Sequence, residues 1–277
     1  MKDPLTPAEL IFKDYTLKGV STAGVGTCIT VPTWKVCFDV AQGLPFAFSM
    51  NHFLISHLHQ DHASGIPYLI SQKAMMSHKP PHFFFPPGAA EPIEKILKIW
   101  EQAEDHSYSY HLEELSFGKR IPLQGSLFVE SFPTQHRVRS QGYTLSVRNK
   151  HLKKEFQGLP REELIRLKER GETLEQEIFV PKISFTGDTQ IEFLDLAPQV
   201  VESETLVMEV TYIDDKKGVA SAREWGHIHL RELIARIPRI KSENIVLIHF
   251  SARYSRQEIQ EALQTQLPEE MHRLHIL

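Results

Sequence analysis

The sequence predicts a layered α/β protein in which helices cover β-sheets. Two observations predict it: a strand-rich opening, and two later stretches in which strands alternate with amphipathic helices. With 277 residues, 41% hydrophobic and 24% charged, the chain has the length and balance of a soluble globular protein with a full core. No composition break or linker divides it, so one domain over residues 1–277 is expected, with the charged stretch 150–178 as the one candidate protrusion. No internal repeat is visible.

Residues 15–55 read as β-rich. "YTLKGV", "TCITV" and "KVCFDV" are short alternating or β-branched runs separated by Gly, Pro and Thr. Residues 63–76 and 91–104 read as helices. The second has Pro92 in its first turn and places Ile93, Ile96, Leu97 and Trp100 at helical spacing. "SLFVESFPTQH" and "GYTLSVR" are strand-like, and a short helix runs from Pro160 to near Gly171. "KISFTGDT" and "ETLVMEVTY" return to strand, "HIHLRELIARI" is amphipathic helix, and "NIVLIHF" is a buried strand. "SRQEIQEALQTQL" is a helix opened by a Ser255–Glu258 capping box.

Composition narrows the function classes. No apolar run approaches the roughly 20 residues of a membrane span. "MKDPLTPAEL" lacks the apolar core of a signal peptide, so a cytoplasmic protein is expected. Cys28 and Cys37 are too few for a disulfide framework and read as a reduced pair of core side chains. A net charge of −4 does not advertise nucleic-acid binding, although a local basic patch is enough for phosphate contacts. Histidine is the outlier, with 15 in the chain. Scattered ones such as His78, His106, His151, His272 and His275 read as solvated surface residues.

The clustered histidines need another explanation. "FLISHLHQDHASGIP" holds three histidines and an aspartate between His57 and His62, where a strand hands over to a helix. In an extended segment, residues i and i+2 project to one side, so His57 and His59 can reach one metal ion together. Asp61 and His62 follow as the chain turns, displaced far enough to serve a second ion. Further ligands should end other strands, and three places do: His136 after "SFPTQ", Asp188 after "ISFTG" and His249 after "IVLI". Each alone is ordinary, since a strand-end histidine is usually a surface residue and an Asp after Gly a turn former. Together with the first cluster they complete a dinuclear set with one carboxylate to bridge.

"HLHQDH" with these later residues resembles the metallo-β-lactamase superfamily, and "FDVAQG", with Asp39, resembles that superfamily's early supporting strand. "SFTGDT", "MEVTY", "GHIHL" and "HFSARY" resemble the signatures of its ribonuclease Z branch, the tRNA 3′-processing endonucleases. The likeness runs from about Leu17 to Tyr254. It implies a four-layer αβ/βα sandwich with metals at one edge. It also implies two zinc ions, with iron or manganese as alternatives: one on His57, His59 and His136, the other on Asp61, His62 and His249, with Asp188 bridging. By the same resemblance Glu209 is the catalytic glutamate and His227 the histidine it orients as general acid, with Asp61 orienting the nucleophile. An ordinary buried ion pair is the other reading of Glu209 and His227. Ser251 and Arg253 are candidates for substrate binding. His229 stands where the family has a small hydroxyl residue.

The resemblance implies a phosphodiesterase, with precursor tRNA as the leading substrate and a small or cyclic phosphodiester as the alternative. A thioesterase or lactonase of the same fold would share only the histidine-rich loop. A carboxylate often replaces His59 in diiron relatives, so the all-imidazole "HLH" points to zinc and hydrolysis. Two features depart from the family. "GVSTAGVGTCI" closes quickly and carries no basic residue between Val20 and Ile29. The arm region has 51 residues from Arg137 to Gly187 and lacks the family's Gly-Pro tip. There Lys150, Lys153, Lys154, Arg161, Arg166, Lys168 and Arg170 mix with acids. This is either a reduced RNA-gripping arm or a solvated charged helix. The family's homodimeric habit makes a homodimer an expectation here.

Overall fold

Two mixed sheets lie face to face, and each is built the same way: antiparallel hairpins first, parallel crossovers after. The computed structural model describes residues 5–277. The first four residues of the N-terminal segment discussed above lie outside them. In the first sheet β1 (Ala8–Ile11), β2 (Thr16–Ala23), β3 (Gly26–Val31) and β4 (Val36–Phe38) pair antiparallel in sequence order. Three strands then add in parallel: β5 (His52–Leu54), β6 (His82–Phe85) and β7 (His111–Glu114). Their crossovers carry α1 (Gln60–Ala63), α2 (Ile66–Met75) and α3 (Ala90–Glu104).

The second sheet opens with antiparallel β8 (Arg120–Gln124), β9 (Leu127–Pro133), β10 (Gln141–Leu152) and β11 (Glu175–Phe185). The short helix α4 (Arg161–Glu169) sits at the tip between β10 and β11. After α5 (Phe193–Leu196), β12 (Thr205–Glu209) pairs parallel to β11. Helices α6 (Val219–Trp225) and α7 (Leu230–Arg236) lead to β13 (Asn244–Ile248), parallel to β12. The two-residue β14 (Phe250–Ser251) crosses to the first sheet and pairs with β2, joining the halves at that edge. Helix α8 (Arg256–Gln266) returns the chain to β15 (Leu274–Ile276), beside β13.

Three apolar clusters fill the layers. Leu17, Ile29, Phe38, Leu54 and Phe84 meet Val129, Leu145, Phe185, Val207 and Val246 between the sheets. Across that interface the rings of Phe38 and Phe185 stack with centroids 4.7 Å apart. Helices α2 and α3 bury Ile66, Leu69, Ile93 and Leu97 on the outer face of the first sheet. Helices α7 and α8 bury Leu230, Leu233, Ile259 and Leu263 on the outer face of the second. This is the expected four-layer αβ/βα sandwich. The central strands are buried on both faces and therefore read as unbroken apolar runs rather than alternating ones.

Several details differ from the sequence reading. The helix expected over 63–76 starts later, as α2 at Ile66, and a separate turn of helix, α1, precedes it across Ser64 and Gly65. Gly65 packs so closely on the preceding loop that a Cβ there would lie 1.9 Å from Gly43 N. On α3 only Ile93, Leu97 and Glu101 are buried, while Ile96 and Trp100 are exposed. The helix meets the sheet along one i, i+4 row, so its other apolar residues flank that contact instead of entering it. His275 is half-buried rather than solvated: its Nε2 is 3.0 Å from Asn244 Oδ1 and its ring is edge-on to Phe12. The Ser255–Glu258 capping box is present. Residues 150–178 form the extension of the β10–β11 hairpin, and α4 buries no residue. Among the described residues no helix is long and apolar enough to cross a membrane.

Candidate metal centre

The ends of β4, β5, β9, β11, β12 and β13 all open on the same edge of the sandwich: His57, His59, His136, Asp188 and His249 follow strand ends, Asp61 and His62 lie in α1, Glu209 ends β12 and His227 follows α6. Ligand atoms of His57, His59, His136 and Asp188 converge in one group, and those of Asp61, His62 and His249 in a second. Asp188 Oδ2 lies 3.7 Å from His57 Nε2 and 3.3 Å from both His62 Nε2 and His249 Nε2, so it stands between the groups. A further grouping brings Asp188, Glu209, His227 and His249 together.

The backbone is shaped to reach this arrangement. Gly187 has φ +61, and a Cβ on it would approach Ser56 Cβ to 2.4 Å, so only glycine lets β11 turn Asp188 inward. Asp39 and His249 hold left-handed φ values of 50 and 60 without being glycine. Such residues are strained and concentrate where a site over-determines them.

Each histidine is aimed through its other ring nitrogen. His57 Nδ1 lies 3.0 Å from Ser56 Oγ, His62 Nδ1 2.7 Å from Asp39 Oδ2 and His136 Nδ1 2.9 Å from the Gly226 carbonyl. His249 Nδ1 lies 3.0 Å from Thr211 Oγ1. All four therefore present Nε2. His59 is the exception: its Nδ1 lies 3.1 Å from His57 Nε2 and 3.2 Å from His136 Nε2. Asp39 anchors the loop rather than joining the cluster, since its carboxylate accepts Ser56 N–H and Ser56 O–H at 2.7 Å each.

The donor set fits a cation. His62 Nε2, His249 Nε2 and Asp188 Oδ1 are buried and have no hydrogen-bond partner, an expense that ligation would relieve. Burial pushes His57, His59 and His136 below the ordinary imidazole value, toward the neutral form that ligates metals. Burial also disfavours an imidazolium at His62, but Asp188 and Asp39 outweigh it and hold the ring well above its ordinary value. Burial opposes ionisation of Asp188, yet His249 and His62 win and keep its carboxyl well below the usual range. The pocket calls for positive charge at its centre.

Between the two groups stands the Glu209–His227 pair. Glu209 is fully buried and accepts Thr189 N–H at 2.8 Å, Thr211 O–H at 2.6 Å, Ile228 N–H at 3.2 Å and His227 Nδ1–H at 2.9 Å. Burial disfavours the charged ring of His227, but the Glu209 carboxylate overrides it and raises the pKa to about 9. The ring centroid is 5.2 Å from that of His136 and 5.2 Å from that of His249. His229, the departure from the family pattern, caps α7 instead: its Nδ1 accepts Arg231 N–H and Glu232 returns the bond to its own N–H. The imidazole thus does the capping that a hydroxyl does elsewhere.

Ser251 and Arg253 lie on the turn after His249. Arg253 Nε donates to Ser251 Oγ at 3.1 Å, and its guanidinium lies over Tyr212 at 5.1 Å and Tyr254 at 5.3 Å. Sequence reasoning missed Ser56, Thr189 and Thr211, whose small hydroxyls carry no signal apart from the strand ends they occupy. It also missed Arg137 and Trp225, which pack against each other beside His136.

Comparisons with known proteins show the family. Residues 40–272 match the family model described as Anti-Pycsar protein Apyc1. The chain is 33% identical over 251 residues to tRNase Z TRZ1 of Arabidopsis thaliana, covering 90% of each chain. It is 31% identical over 254 residues to the chloroplastic tRNase Z TRZ2 of the same plant, covering 91% of this chain and 72% of that one. Human tRNase Z, short form, superposes with a TM-score of 0.58 at 17% identity, over 84% of this chain and 91% of that one, which speaks to the fold alone. The chain belongs to the Anti-Pycsar protein Apyc1 family and, with its tRNase Z relatives, to the ribonuclease Z group of metal-dependent hydrolases with the metallo-β-lactamase fold.

Proposed function

We propose that this hydrolase is a phosphodiesterase that cleaves RNA, removing 3′ trailers from precursor tRNA, with two zinc ions at its centre. One ion would rest on His57, His59 and His136, the other on Asp61, His62 and His249, with Asp188 shared. Bound metal supplies Lewis acidity, which lowers the pKa of water to about 7 and neutralises charge growing on a phosphoryl group.

The observation that carries the reading is the Glu209–His227 pair set between the two ligand groups. Cleaving an unactivated phosphodiester expels a poor leaving oxygen, and a general acid there contributes about 10²–10⁴-fold. His227 suits that role. Its Nδ1 is committed to Glu209, which leaves Nε2 to give up the proton, and the side chain keeps 15% exposure. Glu209 stabilises the ring's charge and fixes its tautomer. Asp61, whose Oδ2 is held by the Gly24 N–H at 2.9 Å, orients the attacking nucleophile. Arg253, without a carboxylate partner among the described residues, offers its guanidinium to a phosphate.

The names of the relatives support tRNA, and the basic residues of the β10–β11 extension support a backbone grip there. In a homodimer that extension would serve the partner's site. The tight β2–β3 turn at Gly24, with no basic residue beside it, favours a second reading, in which a small or cyclic phosphodiester is the substrate.

A side-by-side assay of the zinc-loaded protein separates the two. One substrate is precursor tRNA with a 3′ trailer, the other bis(p-nitrophenyl) phosphate. Cutting near the discriminator base at low enzyme concentration is expected. Hydrolysis of the small ester alone would overturn tRNA as substrate, and hydrolysis of neither would overturn the phosphodiesterase reading.

A further inference from the structure

Two arginine–aromatic pairs bracket His227. On the His249 side Arg253 lies over Tyr212, whose ring is edge-on to His227 at 6.4 Å. On the His136 side the Arg137 guanidinium lies 4.6 Å from the centroid of Trp225. Nothing in the hydrolytic chemistry uses this second pair, yet both members are neighbours of residues that do. Arg137 follows the metal-site residue His136 directly, and only Gly226 separates Trp225 from His227.

The pair is held rigidly. Gly226 ends α6 in the left-handed conformation, and a Cβ there would lie 2.7 Å from His136 Nδ1 and 3.2 Å from Arg137 N. His136 Nδ1 donates to the Gly226 carbonyl at 2.9 Å. Gln135 N–H donates to Thr189 Oγ1 at 3.0 Å, and Gln190 N–H returns to the Gln135 carbonyl at 2.8 Å. Gln190 Nε2 then reaches the Arg223 carbonyl on α6 at 2.9 Å. The loop bearing Arg137 and the helix bearing Trp225 are thus tied to each other and to the metal centre.

The same pair is also open. Trp225 stays 47% exposed, costly for so large an apolar ring, and Arg137 is exposed with no carboxylate partner among the described residues. Arg223 on the same helix, by contrast, is committed to Glu192 and Glu232. An indole with a free face and a guanidinium with free donors are the two groups that single-stranded nucleic-acid sites use, one for a base and one for a phosphate.

We infer that Arg137 and Trp225 form a nucleotide-binding platform on the His136 side of the metal centre, the indole stacking the base next to the cleaved phosphate and the guanidinium taking a phosphate oxygen. The inference rests on the phosphodiesterase reading for its kinetic test, but not on tRNA as the substrate.

The test compares two esters with the same leaving group, thymidine 5′-(p-nitrophenyl phosphate) and methyl p-nitrophenyl phosphate, using the zinc-loaded full chain. Trp225→Ala is expected to raise KM for the thymidine ester about tenfold, the scale of one base–aromatic stack, and to leave kcat and the methyl ester within about twofold. Trp225→Phe should restore most of the loss. Equal losses on both esters, or a fall in metal content, would reduce the pair to a structural prop and overturn the inference. Titration with AMP, read by tryptophan fluorescence, gives an answer independent of turnover. Saturable quenching that disappears in Trp225→Phe supports the platform, and quenching that persists rejects it. If the wild type hydrolyses neither ester, the phosphodiesterase reading fails while the AMP titration still decides the platform.

Discussion

Asp39 Oδ2 lies 2.7 Å from His62 Nδ1, and both side chains are fully buried. The carboxylate fixes the tautomer that turns His62 Nε2 toward Asp188, so it acts on the centre without facing it. Replacing it with the neutral amide in Asp39→Asn removes that bias and should weaken metal affinity about 10–100-fold with the fold retained. Competition against a chelator reads the affinity, and circular dichroism checks the fold. Unchanged affinity would show that packing alone orients the ring.

Asp188 lies within reach of both ligand groups. If it is shared, Asp188→Ala should lose bound metal from both positions and activity with it, whereas loss of an outer histidine should affect one position first. Elemental analysis of the purified proteins is expected to give about two metals per wild-type chain. Retention of that stoichiometry in Asp188→Ala would end the bridging assignment.

The Glu209–His227 pair makes a pH prediction with a definite sign. If His227 is the general acid, the working form is the protonated ring, and activity should fall as pH rises through about 9. In Glu209→Gln the raising charge is gone while burial, which lowers the pKa, remains. The basic limb should then move down by at least about two units, toward or below the ordinary histidine value. A pH–rate profile of kcat/KM measures it directly. His227→Ala should slow esters with poor leaving groups far more than p-nitrophenyl esters, and a limb that stays near 9 in Glu209→Gln would remove His227 from the role.

The convergence of these candidate ligands was legible in the amino-acid order because they obey simple spacing. His57 and His59 sit two apart on an extended segment, and His136, Asp188 and His249 each follow a strand that reads clearly as a strand. The layered fold was legible for the same reason, since apolar runs and helical periodicity mark the buried elements. What stayed hidden depends on contacts between distant parts of the chain. That His59 presents Nδ1 while its neighbours present Nε2 follows from where Asp39, Ser56 and Gly226 happen to lie in space. The break between α1 and α2 has a local signal in Pro67, in the first turn of α2, but the close approach of Gly43 to Gly65 that fixes the bend is a contact between separate segments. Arg137 and Trp225 are ordinary surface residues until folding sets them together. β1 and β7 have only four residues each, too few to establish a period, and β8 alternates over five residues but carries Pro122 at its centre.

A last prediction concerns a charge far from the chemistry. Lys73 on α2 is 1% exposed, and its Nζ donates to the carbonyls of Phe48 at 2.9 Å and Met50 at 2.6 Å. Burial, helped by the charge of Lys35, presses its pKa down from 10.5 to about 8. Between those values the folded chain holds fewer protons at this site than the unfolded chain, so the group's contribution to the unfolding free energy rises with pH across that window. At neutral pH the buried ammonium offsets part of what its hydrogen bonds contribute. In Lys73→Met the charge is gone, but two buried carbonyls lose their donor, at about 1–3 kcal/mol each. The variant should therefore be closest to wild type near pH 7 and fall behind it as pH approaches 10. Urea unfolding of both proteins at pH 7 and pH 9.5 measures the gap while other titrating groups cancel. A gap that is constant or narrows toward high pH would mean that Lys73 keeps an ordinary pKa and that water reaches its ammonium.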